Sequence, residues 1–190
     1  FSTAFSSNPV NHIAMNAVTS AGLLAASKNP MAQRESRHSY SISLEQGEIT
    51  NQKQSGRCWM FAALNTFRFE VIKNLNLKTF ELSQNYTLFY DKLEKSNYFL
   101  ESILETLDEP TQGRLISFLL SAPLGDGGQW DMLCNLVRKY GVVPKEAMPE
   151  TVSSSATREM TAALTRKLRE DACRLRKAYA DGSTLDELRK

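Results

Sequence analysis

The sequence predicts a mainly helical fold that contains one short strand. Apolar residues between positions 58 and 74 cover more than one face of a helix, which is typical of a helix buried in a core. Residues 153–180 are charged but repeat apolar side chains at three- and four-residue steps, which predicts a long amphipathic helix. Apolar and polar residues alternate over 40–44, which is the pattern of a half-buried strand. With 42% hydrophobic side chains among 190 residues, the chain can form one globular domain, or one domain and part of another.

The N-terminal stretch is predicted to contain a helix, a loop and the strand, in that order. We predict a helix over 12–26, in which one face carries Ala14, Val18, Ala21 and Ala25 with Leu24 beside them. A polar loop is expected to continue through residue 36. Tyr40, Ile42 and Leu44 then alternate with serines, which predicts a half-buried strand.

Residues 50–57 are polar and include a glycine, so they predict a loop that leads into the helix over 58–74. Gly141 marks the end of a later helix, and Thr184 with Glu187 forms a capping-box pattern that begins another. The remaining predicted helices cover 83–94, 97–107, 111–120, 129–140 and 153–180. Because the chain starts without methionine and stops just after that capping box, we expect it to be a fragment.

Charge and hydropathy limit the classes of partner. The net charge is +2 and both signs are mixed along the chain, so the sequence indicates neither a nucleic-acid surface nor a membrane surface. The longest apolar runs, such as residues 115–120, are far shorter than the roughly 20 residues that span a bilayer, and no signal sequence opens the chain. Three cysteines at wide, irregular spacings fit neither a disulfide framework nor a zinc site. We therefore expect a non-exported protein in a reducing compartment, without a metal or cofactor.

Cys58 lies where the polar loop turns into the apolar helix, and this placement suggests a nucleophile. A free thiol has a pKa near 8.5, and the unpaired amides and dipole of a helix N-terminus favour its anion. Acyl transfer also needs hydrogen-bond donors for the developing oxyanion. The amide of the nucleophile can supply one donor, and the side chain of Gln52, six residues earlier, is the natural second.

Each of these residues also has a simpler interpretation. A cysteine at the start of an apolar helix is, taken alone, more often a small core residue. Gln52 before it, Trp59 after it and the downstream pair Gly127 and Gly128 together favour the nucleophile. The two glycines could instead form only a turn between helices. Cys134 and Cys173 fall within amphipathic patterns, so we expect both to pack. Residues 158–177 predict a solvated helix face, with a subunit contact as the alternative.

Residues 55–59, Ser-Gly-Arg-Cys-Trp, resemble the nucleophile signature of the papain-like cysteine peptidases but depart from it at two of five positions. In secreted members the first cysteine of that signature forms a disulfide with a cysteine just ahead of an Asn-Gly-Gly turn. This chain has Ser55 and Gly125 at those two places. The joint absence, with Phe-Ala-Ala-Leu-Asn over 61–65, resembles the aminopeptidase C and bleomycin hydrolase family specifically. The resemblance extends from about residue 11 to the end of the chain.

The resemblance implies an α+β, papain-like fold with a helical half that carries the nucleophile and a β-rich half that carries a histidine and an asparagine. Residues 1–150 would be an N-terminal arm and the helical half, and residues 151–190 the start of a helical insertion. Gly127 and Gly128 would line the cleft, where absence of a side chain lets a peptide substrate approach. The whole enzyme would be a cytoplasmic homohexamer whose C-terminal arm restricts cleavage to N-terminal residues.

The two histidines, His12 and His38, both precede Cys58, whereas the family's histidine and asparagine follow the nucleophile by well over a hundred residues. We therefore expect the catalytic pair beyond Lys190, structural roles for His12 and His38, and negligible hydrolysis by residues 1–190 alone. The main alternative is a non-catalytic helical interaction module that retains the fold. A thiol redox protein is disfavoured because the chain has no C-x-x-C pair.

Overall fold

The computed structural model describes residues 2–35, 39–44 and 47–189. The chain divides into two compact units, Phe1–Leu44 and Glu45–Lys190. The second unit contains the loop and helix that the sequence singles out, and residues 45–150 lie in one compact unit with residues 151–190. The predicted assignment of the latter segment to an insertion stays a prediction.

The first unit contains four short helices among its described residues: α1 Ser2–Ser6, α2 Pro9–Ala21, α3 Leu23–Ala26 and α4 Pro30–Glu35. The single helix predicted over 12–26 is therefore wrong in extent, because Gly22 adopts a positive φ of 80° and separates α2 from α3. The predicted polar loop through residue 36 is also wrong in part, because it contains α4. The Asn29 side chain accepts from the Met31 amide at 3.0 Å and so caps the first turn of α4.

The predicted half-buried strand at residues 40–44 is wrong. Tyr40 and Ile42 are 80% and 75% exposed, and none of residues 39–44 is part of a strand. Alternation of apolar and polar residues describes one face of a strand, but a strand also requires a neighbour that accepts and donates its backbone hydrogen bonds. The described residues of this segment have no such neighbour.

The described part of the second unit is helical, with one single-turn 3-10 helix at Lys145–Ala147 and two isolated backbone bridges in place of a sheet. Its α-helices are α5 Cys58–Leu75, α6 Gln84–Glu105, α7 Arg114–Ser121, α8 Trp130–Tyr140, α9 Val152–Ser155, α10 Arg158–Ala180 and α11 Leu185–Leu188. The loop predicted over 50–57 and the helix that begins at Cys58 are both confirmed. No helix in the described ranges is long and apolar enough to cross a membrane.

Two predicted helices are one helix in the structure. The break predicted between 94 and 97 is absent, and within the continuous helix α6 the Ser96 hydroxyl donates to the Lys92 carbonyl at 2.7 Å. The opposite occurs in the segment 153–180, where Ala156 and Thr157 separate α9 from α10. At that break Ala156 forms an isolated parallel bridge with Gln54 of the polar loop.

Helix α6 lies at the centre of the second unit and contributes to two hydrophobic clusters. Met60 and Ala63 of α5 pack with Leu88 of α6 and Leu133 of α8. Near the other end of α6, Phe99 and Ile103 pack with Leu124 and with the α10 residues Leu168 and Ala172. The first cluster buries one face of α5 and therefore fixes the helix that begins at Cys58.

The apolar face predicted for residues 153–180 is confirmed by the burial of Leu168 and Ala172. Cys134 is half-buried on α8, as packing requires, but Cys173 is exposed on α10. The expectation that Cys173 packs is therefore wrong. It lies beside the buried Ala172 in sequence but points to a different side of the helix, since adjacent helical residues do not share a face.

Candidate active site

Cys58 is the first residue of α5 and is exposed. Arg57 precedes it in the N-cap position, and within the described residues its side chain makes no capping hydrogen bond to the first turn. That turn also contains no acidic residue. The first amides of α5 are therefore left without a side-chain acceptor beside the thiol, and together with the helix dipole they favour a negative charge at this position.

The loop before Cys58 is anchored by backbone hydrogen bonds to the break between α9 and α10. The Gln54 amide donates to the Ser155 carbonyl at 2.9 Å, and the Thr157 amide donates to the Gln54 carbonyl at 3.3 Å. Lys53 adopts a left-handed φ of 55°, and its amide donates to the Asn51 side chain at 2.8 Å. These contacts fix the backbone on the C-terminal side of Gln52.

Gln52 is half-buried, and its side-chain oxygen is buried without a hydrogen-bond partner among the described residues. Its backbone carbonyl accepts from the Ser55 hydroxyl at 2.6 Å, and the Ser55 oxygen in turn accepts from Arg57 Nε at 2.8 Å. Two hydrogen bonds thus connect Gln52 to the residue that directly precedes Cys58. A buried polar atom without a partner costs free energy, and the unpaired atom here is the acceptor Oε1 of the Gln52 side chain.

Arg57 is fully buried and forms a bidentate ion pair with Glu150. The nitrogen–oxygen distances are 2.8 and 2.9 Å, and the guanidinium also lies 5.0 Å from the centre of the Phe61 ring. Burial raises the pKa of Glu150, but hydrogen bonds from Arg57 and Ser154 outweigh it and lower the pKa below its ordinary value. Glu150 therefore neutralises the buried positive charge of Arg57, which directly precedes Cys58.

Asp126 connects three segments through its carboxylate. Oδ2 accepts from the Gly56 amide at 3.0 Å and from the Thr157 hydroxyl, while Oδ1 accepts from Lys92 Nζ of α6 at 2.6 Å. Burial raises the pKa of Asp126, but these three hydrogen bonds outweigh it and lower the pKa to about 2. The Asp126 backbone carbonyl accepts from Trp59 Nε1 at 2.8 Å, so the same residue also fixes the indole that follows Cys58.

Gly128 packs against the indole of Trp59, and a Cβ at that position would lie 2.5 Å from the ring. Gly127 has open space where a Cβ would be, with nothing within 4 Å. Its carbonyl accepts from Lys95 Nζ at 2.7 Å. The structure thus gives Gly128 a packing reason to be glycine and leaves the Cα side of Gly127 accessible.

A cleft of about 300 Å³ opens beside Trp59. Its lining is mostly apolar and comes from α5, from the two residues before α8 and from α8 itself. The lining residues are Trp59, Ala62, Ala63, Thr66, Gly128, Gln129, Trp130 and Leu133. Trp130 is 59% exposed, and its ring lies 6.3 Å from that of Phe67. The structure therefore brings Gly128 together with the aromatic residue next to Cys58 at a concave surface, which is where ligands bind most often.

The two histidines lie in the first unit of the chain. His12 Nε2 is 2.8 Å from the Ser6 carbonyl oxygen at the end of α1, which gives His12 a local structural contact. His38 lies outside the described residues.

Asp126, Lys92 and Glu150 are the polar residues around Cys58 that the sequence does not single out. Each contacts a residue far away in the chain, so the hydrophobic periodicity of the sequence does not indicate the contact. One local signal was available for Asp126, because it is a lone acid between glycines, in Gly-Asp-Gly-Gly.

Comparison with known proteins places this chain in a family. A family model described as the Peptidase C1-like family matches residues 1–190. The chain is 49% identical over 181 residues to aminopeptidase C of Listeria monocytogenes, covering 95% of this chain and 41% of that protein. It is 42% identical over 186 residues to bleomycin hydrolase of Homo sapiens, covering 96% of this chain and 41% of that protein. The chain thus spans about two fifths of the length of these relatives.

A solved structure is similar over the whole chain. The crystal structure of PepW from Lactobacillus rhamnosis superposes with a TM-score of 0.88 at 48% identity, covering 100% of this chain and 42% of that one. The relatives named above and this structural match agree with the family model. The resemblance found in residues 55–65 is confirmed, and the chain belongs to the Peptidase C1-like family with a papain-like fold of which the described residues are mostly helical.

Proposed function

We propose that the complete protein is a cysteine peptidase that releases N-terminal residues from peptides, with Cys58 as its nucleophile. The observation that carries this proposal is the exposed thiol of Cys58, the first residue of α5, a helix with one buried face. The amides of the first turn beside it have no capping side chain. The names aminopeptidase C and bleomycin hydrolase, borne by relatives at 49% and 42% identity, support the reaction class. Preference for N-terminal residues rests on those names alone.

The reaction would follow the general course of acyl transfer. The sulfur of Cys58 attacks the scissile carbonyl carbon, and the resulting oxyanion accepts hydrogen bonds from the Cys58 amide and the Gln52 side chain. Collapse of this intermediate breaks the peptide bond, releases the amine and leaves an acyl-enzyme thioester, which water then hydrolyses. The thiol proton passes to a histidine that an asparagine orients, and the amine leaves with that proton. We expect both residues in sequence beyond residue 190.

The peptide would bind along Gly127 and Gly128. Open space beside the Gly127 Cα supports close approach of a substrate backbone, and the cleft beside Trp59 supports an adjoining apolar subsite. Within the whole enzyme we propose that the helical half described above faces a β-rich half across the cleft. A cytoplasmic location and a homohexameric ring belong to the same proposal.

Replacement of the nucleophile tests the function. In the complete polypeptide, Cys58→Ser should reduce hydrolysis of an aminoacyl-coumarin amide by at least about 10³-fold, because the hydroxyl cannot replace the thiol as nucleophile. The matched control is Cys173→Ser, which alters another exposed cysteine and should leave turnover unchanged. Turnover that survives Cys58→Ser would refute the proposal.

A second pair of variants tests the role of Gln52. Gln52→Ala should lower kcat by roughly 10²-fold, as loss of one oxyanion donor does. Gln54→Ala is the control, since Gln54 lies two residues further on the same loop and bridges Ala156 through its backbone only. Equal effects of the two substitutions would argue that Gln52 acts through the loop rather than on the oxyanion.

The alternative, an interaction module without chemistry, is distinguished by alkylation. At mildly acidic pH, iodoacetamide should modify Cys58 at least about tenfold faster than Cys173, although both thiols are exposed. Equal, slow modification of the two would favour the module. Residues 1–190 alone should show negligible hydrolysis, and thiol-dependent turnover by that segment would contradict the expected position of the histidine.

A further inference from the structure

We propose that Asp126 and Lys92 form a positioning clamp for the start of α5, so that the reactivity of Cys58 depends on a salt bridge that does not touch the reacting atoms. This inference rests on the proposed function of Cys58 and adds to it two positioning residues. The clamp is defined as the Lys92–Asp126 ion pair together with the hydrogen bonds from Asp126 to Gly56 and Trp59.

Cys58 is bracketed by two contacts to this one residue. Two positions before Cys58, the Gly56 amide donates to the Asp126 carboxylate at 3.0 Å. One position after Cys58, the Trp59 indole donates to the Asp126 backbone carbonyl at 2.8 Å. A shift of Asp126 would therefore move the chain on both sides of the thiol, and it would do so at the turn of backbone that begins the helix.

The approach at Gly56 is as close as a glycine permits. A Cβ on Gly56 would lie 2.8 Å from the Asp126 Cβ, so a larger residue would separate the loop from the carboxylate. The contact therefore requires glycine at position 56 and the carboxylate at position 126.

Asp126 and its neighbours are held in turn by two lysines of α6, of which Lys92 is buried and Lys95 half-buried. Lys92 is 6% exposed and donates to the Asp126 carboxylate at 2.6 Å and to the Gly125 carbonyl at 3.0 Å. One helical turn later, Lys95 donates to the Gly125 and Gly127 carbonyls at 3.0 and 2.7 Å and pairs with the buried Asp91. The two ammonium groups thus bind the backbone on both sides of Asp126, and two carboxylates balance their charge.

Only a carboxylate meets all of these demands. Its two oxygens accept at once from an ammonium, an amide and a hydroxyl, and it has lone pairs enough for all three. Its pKa of about 2 keeps it ionised throughout the neutral range. An asparagine has the same shape but directs an NH₂ group either at Lys92 or at the Gly56 amide, so one of those two hydrogen bonds must be lost.

Asp126→Asn is therefore the informative variant, measured by the rate at which iodoacetamide modifies Cys58. In the folded, complete polypeptide we expect this rate to fall about tenfold while the rate at Cys173 stays constant, with both peptides quantified by mass spectrometry. In the same variant kcat should fall and KM should stay within about twofold, because a misplaced thiol affects chemistry more than binding.

A second substitution tests whether the two residues act as one pair. Lys92→Met alone should also lower the Cys58 rate, and adding it to Asp126→Asn should lower the rate little further, because the salt bridge is already lost. The matched control is Glu94→Gln, which weakens the pair between Glu94 of α6 and the exposed Lys139 of α8 and should change neither rate.

The outcomes separate the clamp from the function on which it rests. If wild-type Cys58 reacts no faster than Cys173, the proposed function fails before the clamp is tested. If wild-type Cys58 reacts fast and Asp126→Asn retains that rate while unfolding at lower urea, the salt bridge is structural only and the clamp is refuted. Should Asp126→Asn not fold, Lys92→Gln replaces it, and a wild-type rate at Cys58 in that variant refutes the clamp equally.

Discussion

Ion pairs in this chain occur in two contrasting environments, and the first is the region beneath the start of α5. There the Arg57 side chain is 0% exposed and the Lys92 side chain 7% exposed, and each pairs with a carboxylate from a distant part of the chain. Glu150 pairs with Arg57, and Asp126 pairs with Lys92. We refer to these four residues as the buried junction.

The second environment is the outer face of α10, defined here as Lys167, Glu170, Asp171 and Arg174. Its pairs join residues one helical turn apart, and Lys167 and Arg174 are 54% and 67% exposed. The chemical groups are the same as in the buried junction, but water solvates them here. The contrast teaches that the environment of an ion pair, and not its presence, decides whether the pair fixes a local geometry or only covers a surface.

The largest effect is expected from breaking the Arg57–Glu150 pair on one side only. Arg57→Met should lower the free energy of unfolding by about 3 kcal/mol, because it leaves the Glu150 carboxylate partly buried without its cation. Urea denaturation followed by circular dichroism measures the change.

The double variant Arg57→Met with Glu150→Met serves as the control for that loss. A pair of apolar side chains of similar size leaves no uncompensated charge, so the double variant should be more stable than Arg57→Met alone. If both variants lose the same free energy, the cost comes from packing around Phe61 and not from the uncompensated charge of Glu150.

A somewhat smaller effect is expected from one methyl group beside the junction. Gly128→Ala would place a Cβ 2.5 Å from the Trp59 ring and should cost about 2 kcal/mol, since the indole is also fixed by its hydrogen bond to Asp126. Gly127→Ala is the matched control. Its Cβ meets nothing within 4 Å and its φ is not positive, so the free energy of unfolding should change by less than about 0.5 kcal/mol.

Acid should weaken the junction through Asp126. Because the pKa of Asp126 is lowered from 3.8 to about 2 in the folded protein, the ionised carboxylate stabilises the fold at pH above about 4. This contribution, at most about 2 kcal/mol, should be lost as the pH falls toward 2. Urea denaturation of wild type and Asp126→Asn between pH 5 and pH 2 measures it. The stability difference between the two proteins should shrink with acid, and a constant difference would contradict the lowered pKa.

The elements that the sequence predicts correctly are those that local hydrogen bonds define. Gly141 ends α8 with a positive φ of 75°, and Thr184 with Glu187 forms the capping box that begins α11. The helix that starts at Cys58 follows from its apolar residues and from the polar loop before it. In each case the groups that decide the structure lie within a few residues of one another, so the sequence contains the whole signal.

The contacts around the start of α5 that the sequence does not predict depend on distant partners. Gly56 and Asp126 are 70 residues apart, and Arg57 and Glu150 are 93 apart, so no local pattern joins them. Lys95 of α6 likewise donates to the carbonyls of residues 125 and 127, and no local pattern indicates these contacts.

The roles of Cys58 and Gln52 were predicted from their positions at the start of an apolar helix and on the loop before it, with support from a family resemblance, and they remain predictions. The segment 40–44 shows that a local pattern can also predict an element that the structure lacks. Its alternation describes a face that would suit a sheet, but among the described residues no strand lies beside it. Periodicity predicts which side chains share a face, and the partner for that face has to come from elsewhere.

The smallest effect is expected on the outer face of α10. Lys167→Met and Arg174→Met should each change the free energy of unfolding by less than about 0.5 kcal/mol, because solvated pairs gain little and their side chains lose entropy on pairing. Even that difference should vanish in 1 M salt, where the Debye length falls to about 3 Å. A loss above about 1.5 kcal/mol in either variant would contradict a solvated face, since a cost of that size arises when charges are covered. Sedimentation of the same variants would then distinguish a subunit contact, in which association weakens along with stability, from a cover supplied by the chain itself.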